Sequence, residues 1–142
     1  MRGLAFAALV ALVVSGCGSV PLAPGPIDWR AADEQWTVHI VTVDADGDER
    51  VTRVWLALVD GEGAIRTGDS RWWENLQRDA DCRIRWQGAD HPVRAEFVTD
   101  HSGRVRIDEA FAAKYGWWER TMFRQERGET HENYARLRSR SP

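Results

Sequence analysis

Histidine and cysteine are the side chains in this sequence most able to bind a metal ion or attack a substrate. The four histidines lie at separations that match no metal-ligand motif: His39, His91, His101 and His131. Of the two cysteines, Cys82 lies in an alternating apolar stretch, which is typical of a buried small hydrophobe. The sequence also lacks the Gly-x-Ser-x-Gly elbow and the phosphate-binding P-loop. These patterns predict neither a metal centre nor a side-chain nucleophile.

The acidic run from Asp44 to Asp48, Asp-Ala-Asp-Gly-Asp, is a second candidate for metal chemistry. A calcium loop of the EF-hand type needs glycine at its sixth position and a bidentate acid at its twelfth. Here Gly47 takes the fourth position and Trp55 the twelfth. We therefore expect a solvated turn.

An apolar run near the N-terminus predicts where the protein is located. Arg2 precedes eleven apolar residues from Leu4 to Val14. As a helix they would rise about 16 Å, which is too short to cross a hydrocarbon core of about 30 Å. The run is therefore predicted to be a targeting signal. The alternatives are a buried hydrophobic helix, an uncleaved anchor, or an ordinary signal peptide followed by a coincidental cysteine.

The four residues Val14-Ser15-Gly16-Cys17 resemble the lipobox of bacterial lipoproteins. The resemblance implies that residues 1–16 are a lipoprotein signal peptide and that Cys17 becomes an acylated N-terminus. Several acyl chains, such as palmitate, would hold the protein stably on the cell membrane, outside the cytoplasm. Gly18 is not the aspartate that marks inner-membrane retention, so in a host with two membranes we expect an outer-membrane location facing the periplasm.

Composition limits the remaining 126 residues to one domain without a disulfide. Removing residues 1–16 takes away one of the 19 basic side chains and none of the 22 acidic ones, so the net charge changes from −3 to −4. With the basic residues scattered, nucleic acid is not an expected partner. Because Cys82 is then the one cysteine left inside the domain, stability must come from packing. Eight tryptophans supply large side chains for a core.

The apolar patterns predict an α+β domain over residues 35–125. Alternation predicts about six strands, near residues 36–41, 51–59, 64–67, 82–87, 93–97 and 104–107. Helical spacing predicts one short helix between strands 3 and 4, capped by Asp69 or Ser70, and a C-terminal helix over Phe111–Met122. Antiparallel hairpins in this order favour a small barrel closed by helices.

Both ends of the mature chain are predicted to be irregular. Residues 17–34 contain Pro21, Pro24 and Pro26 and read as the lipidated cysteine followed by a flexible spacer. Residues 126–142 are almost wholly polar, which predicts a disordered tail.

Several short motifs, taken in order, are similar to those of the split-barrel flavin-binding superfamily. Spread over residues 36–123, they are Glu49–Trp55, Ile65–Thr67, Ser70–Leu76, Val93–Val98 and Lys114–Trp117. The nearest branch is the nitroreductase-like one, which includes deazaflavin enzymes and small uncharacterised relatives. The resemblance implies an antiparallel split β-barrel.

The same resemblance implies an anion site for the phosphate of FMN or of a deazaflavin, where strands 2 and 3 meet the start of the helix. Carried over to this sequence, the candidates are Arg53, Arg66, Thr67, Ser70, Arg71 and Asn75, with Trp72 beside the ring. A helix N-terminus and the arginine fork both suit a phosphate. Each residue also has an ordinary role as a strand position, cap or core residue, so the absence of any cofactor stays an alternative.

Two departures from the family pattern weaken the predicted grip on phosphate. Trp72 stands where many flavin-binding members have lysine, and Gly68-Asp69 is shorter than the loop of many deazaflavin members. The resemblance implies a nitroreductase-like oxidoreductase whose partner is a flavin-like small molecule. The alternative is a non-catalytic envelope module that keeps the fold and binds a protein or a small ligand. Whether the chain forms a dimer stays open.

Overall fold

The computed structural model describes residues 18–141. The predicted signal peptide and the predicted lipidation site, Cys17, lie outside the described residues. In chain order the elements are α1 (Trp29–Asp33), β1 (Val38–Val43), β2 (Glu49–Val54), β3 (Ala57–Val59), β4 (Glu62–Thr67), α2 (Arg71–Arg78), β5 (Asp81–Trp86), β6 (Ala89–Phe97), α3 (His101–Tyr115), α4 (Trp117–Met122) and β7 (Asn133–Ser139).

The strands form a single curled, antiparallel, seven-stranded sheet in the order β2-β1-β5-β6-β7-β4-β3. Three hairpins, β1/β2, β3/β4 and β5/β6, come from neighbouring stretches of chain. β7 pairs with β6 on one side and β4 on the other, so the last strand joins the two parts of the sheet. The prediction of an α+β fold with an antiparallel split barrel is confirmed, with seven strands instead of six.

Two clusters of buried apolar side chains hold the helices to the sheet. The larger cluster includes Trp29 of α1, Trp72 of α2 and Ile65 of β4. The smaller cluster joins Phe111 of α3 to Ala64 of β4. Because successive side chains of a strand point to opposite faces, neighbours such as Ala64 and Ile65 reach different clusters. β4 is therefore buried on both faces, and it carries one of the predicted site residues, Arg66, into the interior.

The second half of the predicted spacer is folded. Asp28 caps α1 by accepting a hydrogen bond from the Ala31 amide at 3.1 Å. Trp29 and Ala32 pack into the larger core cluster, and Leu22 forms a β-bridge with Asp90. The prolines predicted an extended segment, but the apolar side chains that follow them, Ile27, Trp29 and Ala32, are buried in the larger cluster, so residues 27–33 are not a free linker.

The predicted disordered tail contains β7. Ala135 and Leu137 belong to the larger core cluster and Tyr134 to the smaller one. Their neighbours Arg136 and Arg138 form ion pairs with Glu62 on β4. The prediction of disorder for residues 126–142 was wrong here, because the alternating arginines give a polar composition to a strand that buries three apolar or aromatic side chains.

Two predicted strands also have different boundaries. Residues 51–59 are divided between β2 and β3, which bend apart at Trp55 and Leu56. Residues 104–107 belong to helix α3, because Asp100 accepts a hydrogen bond from the Gly103 amide at 2.8 Å and caps a helix that begins earlier than the apolar pattern predicted.

Among residues 18–141, none of the helices has the length and apolar character needed to span a bilayer.

Candidate functional site

A cleft of about 400 Å³ opens where the end of β4 meets the start of α2. Its volume lies within the range of about 300–1,000 Å³ that is usual for small-molecule sites. Residues of β2, β4 and α2 contribute to it, together with residues of α3, α4 and the segment before β7. The lining residues are Arg53, Val54, Trp55, Arg66, Thr67, Gly68, Trp72, Phe111, Met122, Phe123 and His131.

Four of the seven predicted cofactor-binding residues line this cleft: Arg53, Arg66, Thr67 and Trp72. Ser70 lies beside it, with its Oγ 3.4 Å from Thr67 Oγ1. Ser70 occupies the N-cap position of α2 and makes no side-chain capping bond within the described residues. Residues from β2, β4 and α2 are thus brought together near the N-terminus of α2, where the helix dipole favours an anion.

Arg71 and Asn75 lie elsewhere. Asn75 is buried and donates to Thr42 Oγ1 at 2.9 Å and to Asp44 Oδ1 at 2.7 Å. Arg71 lines a smaller cleft of about 240 Å³ beside Asp44. The Arg50 and Asn75 hydrogen bonds lower the pKa of Asp44 to about 2. Arg71 and Asn75 therefore belong to the contact between α2 and the β1–β2 turn.

Arg66 is the charge at the bottom of the cleft, and it is already neutralised. Its guanidinium forms ion pairs with Asp108 of α3 and Glu119 of α4, and all three side chains are at most 1% exposed. The guanidinium carbon lies 4.2 Å from the centre of the Phe111 ring and 5.2 Å from that of Phe123. With two carboxylates bound, Arg66 has little charge left for a phosphate.

Asp108 is the second centre of this buried network. It accepts hydrogen bonds from the Gly128 amide at 2.7 Å, from Thr130 Oγ1 at 2.6 Å and from Tyr134 Oη at 3.0 Å. Burial alone would raise the pKa of Asp108, but the hydrogen bonds from Thr130, Arg66 and Gly128 outweigh it and hold the pKa below its ordinary value. The carboxylate therefore stays ionised inside the protein.

Aromatic rings form much of the cleft wall. Trp55 stacks on Tyr115 with ring centres 4.5 Å apart and meets Phe123 edge-on at 6.4 Å. Two hydrogen bonds hold Tyr115 in place: its hydroxyl accepts from the Leu56 amide at 3.1 Å and donates to the Trp36 carbonyl at 2.8 Å. Burial raises the pKa of Tyr115 to about 12. Flat apolar faces of this kind suit a planar ligand.

His131 adds an imidazole to the same wall. Its ring centre lies 4.5 Å from that of Phe123, and Nδ1 lies 3.1 Å from Thr130 Oγ1. Burial, with a smaller contribution from the Arg66 charge, lowers the pKa of His131 to about 4. The imidazole is therefore neutral at physiological pH.

The sequence predictions missed Asp108, Glu119, Thr130 and His131. They lie outside the predicted motifs, and the packing of α3, α4 and the segment before β7 brings them to the surroundings of Arg66. The signal that could have found them is the presence of two acids at inward positions of the terminal helices, opposite one buried arginine. No group of three or more His, Cys, Asp or Glu side chains within residues 18–141 is arranged to hold a metal ion.

Comparisons with known proteins agree with this fold. A family model described as "Uncharacterized protein conserved in bacteria (DUF2255)" matches residues 29–135. No curated protein matches the sequence.

Solved structures resemble the chain at low sequence identity. A conserved hypothetical protein, Rv2991 of Mycobacterium tuberculosis, has a TM-score of 0.58 at 19% identity, covering 80% of this chain and 77% of that one. The heme storage protein HutZ of Vibrio cholerae has a TM-score of 0.58 at 16% identity, covering 80% and 87%. An F420-H2 dependent reductase has a TM-score of 0.55 at 12% identity, covering 74% and 95%. At such identities the likeness shows the fold.

Proposed function

The chain belongs to the bacterial family DUF2255, and we propose that it is a lipid-anchored envelope protein whose cleft binds a planar, anionic, flavin-like ligand. The observation that carries the proposal is the composition of the cleft, in which aromatic faces lie beside an arginine and a helix N-terminus. A flat ring would pack against Trp55 and Phe123, and a phosphate would lie toward the start of α2.

Arg53 is the better phosphate ligand of the two cleft arginines. It is exposed on β2, and no carboxylate among the described residues forms an ion pair with it, whereas Arg66 is held by two acids. Thr67 Oγ1 and the N–H groups of Arg71 and Trp72, the first two of α2, would complete the contacts to the phosphate, since the next two N–H groups donate to the Ser70 carbonyl. We assign to Arg66 the role of holding α3 and α4 against the cleft.

A bound flavin or deazaflavin would supply hydride or electron transfer from its own ring. The chain's part is to bind and orient that ring and to keep water from its buried face. The F420-H2 dependent reductase, which shares the fold, supports an oxidoreductase of the nitroreductase-like kind. The non-catalytic alternative is a module that binds the same class of ligand without turning it over.

Heme is a second candidate, which one observation favours. His131 lines the cleft as a neutral imidazole, and neutral imidazole is a common ligand of heme iron. HutZ, which shares the fold, is described as a heme storage protein. The absorbance spectrum separates the two candidates, because bound flavin and bound heme absorb in different, well-known bands.

The ligand proposal is tested by titrating the purified mature protein with FMN and, separately, with hemin. FMN fluorescence should be quenched at a saturable site. Arg53→Ala should weaken FMN binding about 10- to 100-fold, because it removes a charge-assisted hydrogen bond. Arg94→Ala is the matched control, since Arg94 is an exposed strand arginine that forms an ion pair with Asp81. Equal FMN binding by Arg53→Ala would mean that the phosphate lies elsewhere, and failure of the wild type to bind FMN would overturn the flavin assignment.

The anchor is tested on the protein made in a bacterial host. We expect mass spectrometry of the N-terminal peptide to find Cys17 as the first residue, carrying acyl chains, in the membrane fraction. Recovery of the unprocessed chain with a free Cys17 thiol among cytoplasmic proteins would overturn the location outside the cytoplasm.

A further inference from the structure

Thr130 Oγ1 lies at the centre of four polar contacts beside the cleft. Arg66 Nη1 is 2.9 Å away, Asp108 Oδ1 2.6 Å, His131 Nδ1 3.1 Å and Tyr134 Oη 3.1 Å. A hydroxyl has one proton to donate and two lone pairs to accept with, so the identities of its neighbours limit which of them carries a proton.

Three of these neighbours can be assigned at once. Asp108 is an ionised carboxylate and can only accept, so the Thr130 proton goes to it. Arg66 can only donate, so it occupies one lone pair of Oγ1. Tyr134 Oη accepts the His131 amide at 3.0 Å and donates to Asp108 Oδ2 at 3.0 Å, so its proton is also used.

The remaining lone pair of Thr130 Oγ1 faces His131 Nδ1. A neutral imidazole carries one proton, and a favourable contact with this lone pair requires that proton on Nδ1. The other ring nitrogen, Nε2, is then an acceptor. It makes no hydrogen bond with any residue of the described part of the chain, and the ring it belongs to lines the cleft.

From this geometry we infer that His131 Nε2 is a preset hydrogen-bond acceptor in the cleft wall, and that the ligand presents an N–H or O–H group to it. The inference rests on the proposed function for the existence of a ligand and adds a chemical requirement. The ligand should be a heteroaromatic ring with a donor on its edge, in addition to its anionic group. A ring without such a donor would bury Nε2 unpaired, which would lower affinity about five- to 100-fold.

The protonation state is tested without any ligand, on the mature protein labelled with ¹⁵N-histidine. At neutral pH the ¹⁵N spectrum of His131 should show a protonated Nδ1 and a bare Nε2. Thr130→Val, which removes the acceptor for Nδ1–H, should shift His131 toward the Nε2–H form, while the His39 signals, from β1, report that the fold is kept. An Nε2–H form or a charged ring in the wild type would overturn the inference.

The ligand requirement is tested with FMN as the probe. Addition of FMN should shift the Nε2 resonance, and His131→Phe, which keeps an aromatic ring against Phe123, should weaken FMN binding about five- to 100-fold. Unchanged affinity in His131→Phe would overturn the inference and leave the flavin proposal standing. A bare Nε2 in a protein that does not bind FMN would support the acceptor and overturn flavin as its ligand.

Discussion

Arg66 joins three parts of the chain through one guanidinium group: α3 through Asp108, α4 through Glu119, and the segment before β7 through Thr130. Arg66→Met should therefore lower the free energy of unfolding by about 3–5 kcal/mol. It leaves Asp108 buried without an ion-pair partner among residues 18–141, and it leaves Glu119 with Arg127 alone, whose Nη1 lies 3.7 Å from Glu119 Oε1. Urea denaturation followed by circular dichroism measures this loss.

A charge-matched variant separates loss of the cation from loss of packing. Arg66→Met combined with Asp108→Asn and Glu119→Gln carries no buried charge and should recover part of the lost stability. Arg53→Met is the control on the other cleft arginine and should change stability by at most about 0.5 kcal/mol, because Arg53 is exposed. Equal stability of Arg66→Met and wild type would show that the ion pairs contribute nothing.

His131 makes stability depend on pH. Its pKa is about 4 in the folded protein against an ordinary value of 6.5, so between these values the unfolded chain binds the additional proton. The contribution of the neutral ring is therefore complete above pH 6.5 and is lost as the pH falls toward 4. Arg66, Asp108 and Tyr134 are the charged or titratable groups around it.

Urea midpoints measured between pH 4 and pH 6.5 test this contribution of His131 to stability. Wild type should lose more stability than His131→Phe as the pH is lowered, since the variant lacks the titrating ring. Acid also protonates carboxylates whose pKa is lowered, such as Asp108, so both proteins should lose some stability. Parallel curves for the two proteins would contradict a depressed His131 pKa.

At the scale of elements, the packing of α1 depends on the absence of a side chain at one position of β4. A Cβ added to Gly63 would lie 2.5 Å from Cζ3 of the Trp29 ring and 3.0 Å from Cη2. Gly63→Ala should therefore push α1 outward and cost about 1–3 kcal/mol of stability, as overpacking does. Gly25→Ala is the control, because its added Cβ would meet nothing within 4 Å. Similar urea midpoints for both variants would mean that α1 moves without cost.

The elements also show what local patterns could predict. The hairpins and α2 were predicted because their alternation and helical spacing are local. Arg53, Thr67 and Trp72, which line the cleft, were grouped by the resemblance of their motifs to the split-barrel superfamily and not by these patterns. β7 was missed because its alternating arginines give a polar composition, and because its pairing with β6 on one edge and β4 on the other is set by the tertiary fold. Asp108 and His131 were missed because tertiary packing alone brings them to Arg66.

For the whole molecule, the order of the strands explains why the cleft depends on the C-terminal segment. β7 closes the sheet between β6 and β4, and the chain that leads to it carries Gly128, Thr130 and His131 past Arg66. α4 lies on the same side and is tied to Arg66 by Glu119. One wall of the cleft therefore comes from the C-terminal part of the chain. Its residues lie outside the motifs of the N-terminal half from which the site was predicted.

The folded domain and the proposed anchor should be separable in the whole molecule. The seven strands and both core clusters lie within residues 18–141, so a variant made without residues 1–17, which lacks both the predicted signal peptide and the acylation site, should keep the urea midpoint of the anchored protein. The variant should move from the membrane fraction to the soluble fraction, because a net charge of −4 gives no attraction to anionic lipid. Retention on the membrane would instead indicate that an exposed apolar surface binds it. The side chains of Trp117 and Trp118, 60% and 51% exposed on α4, would be the first to replace.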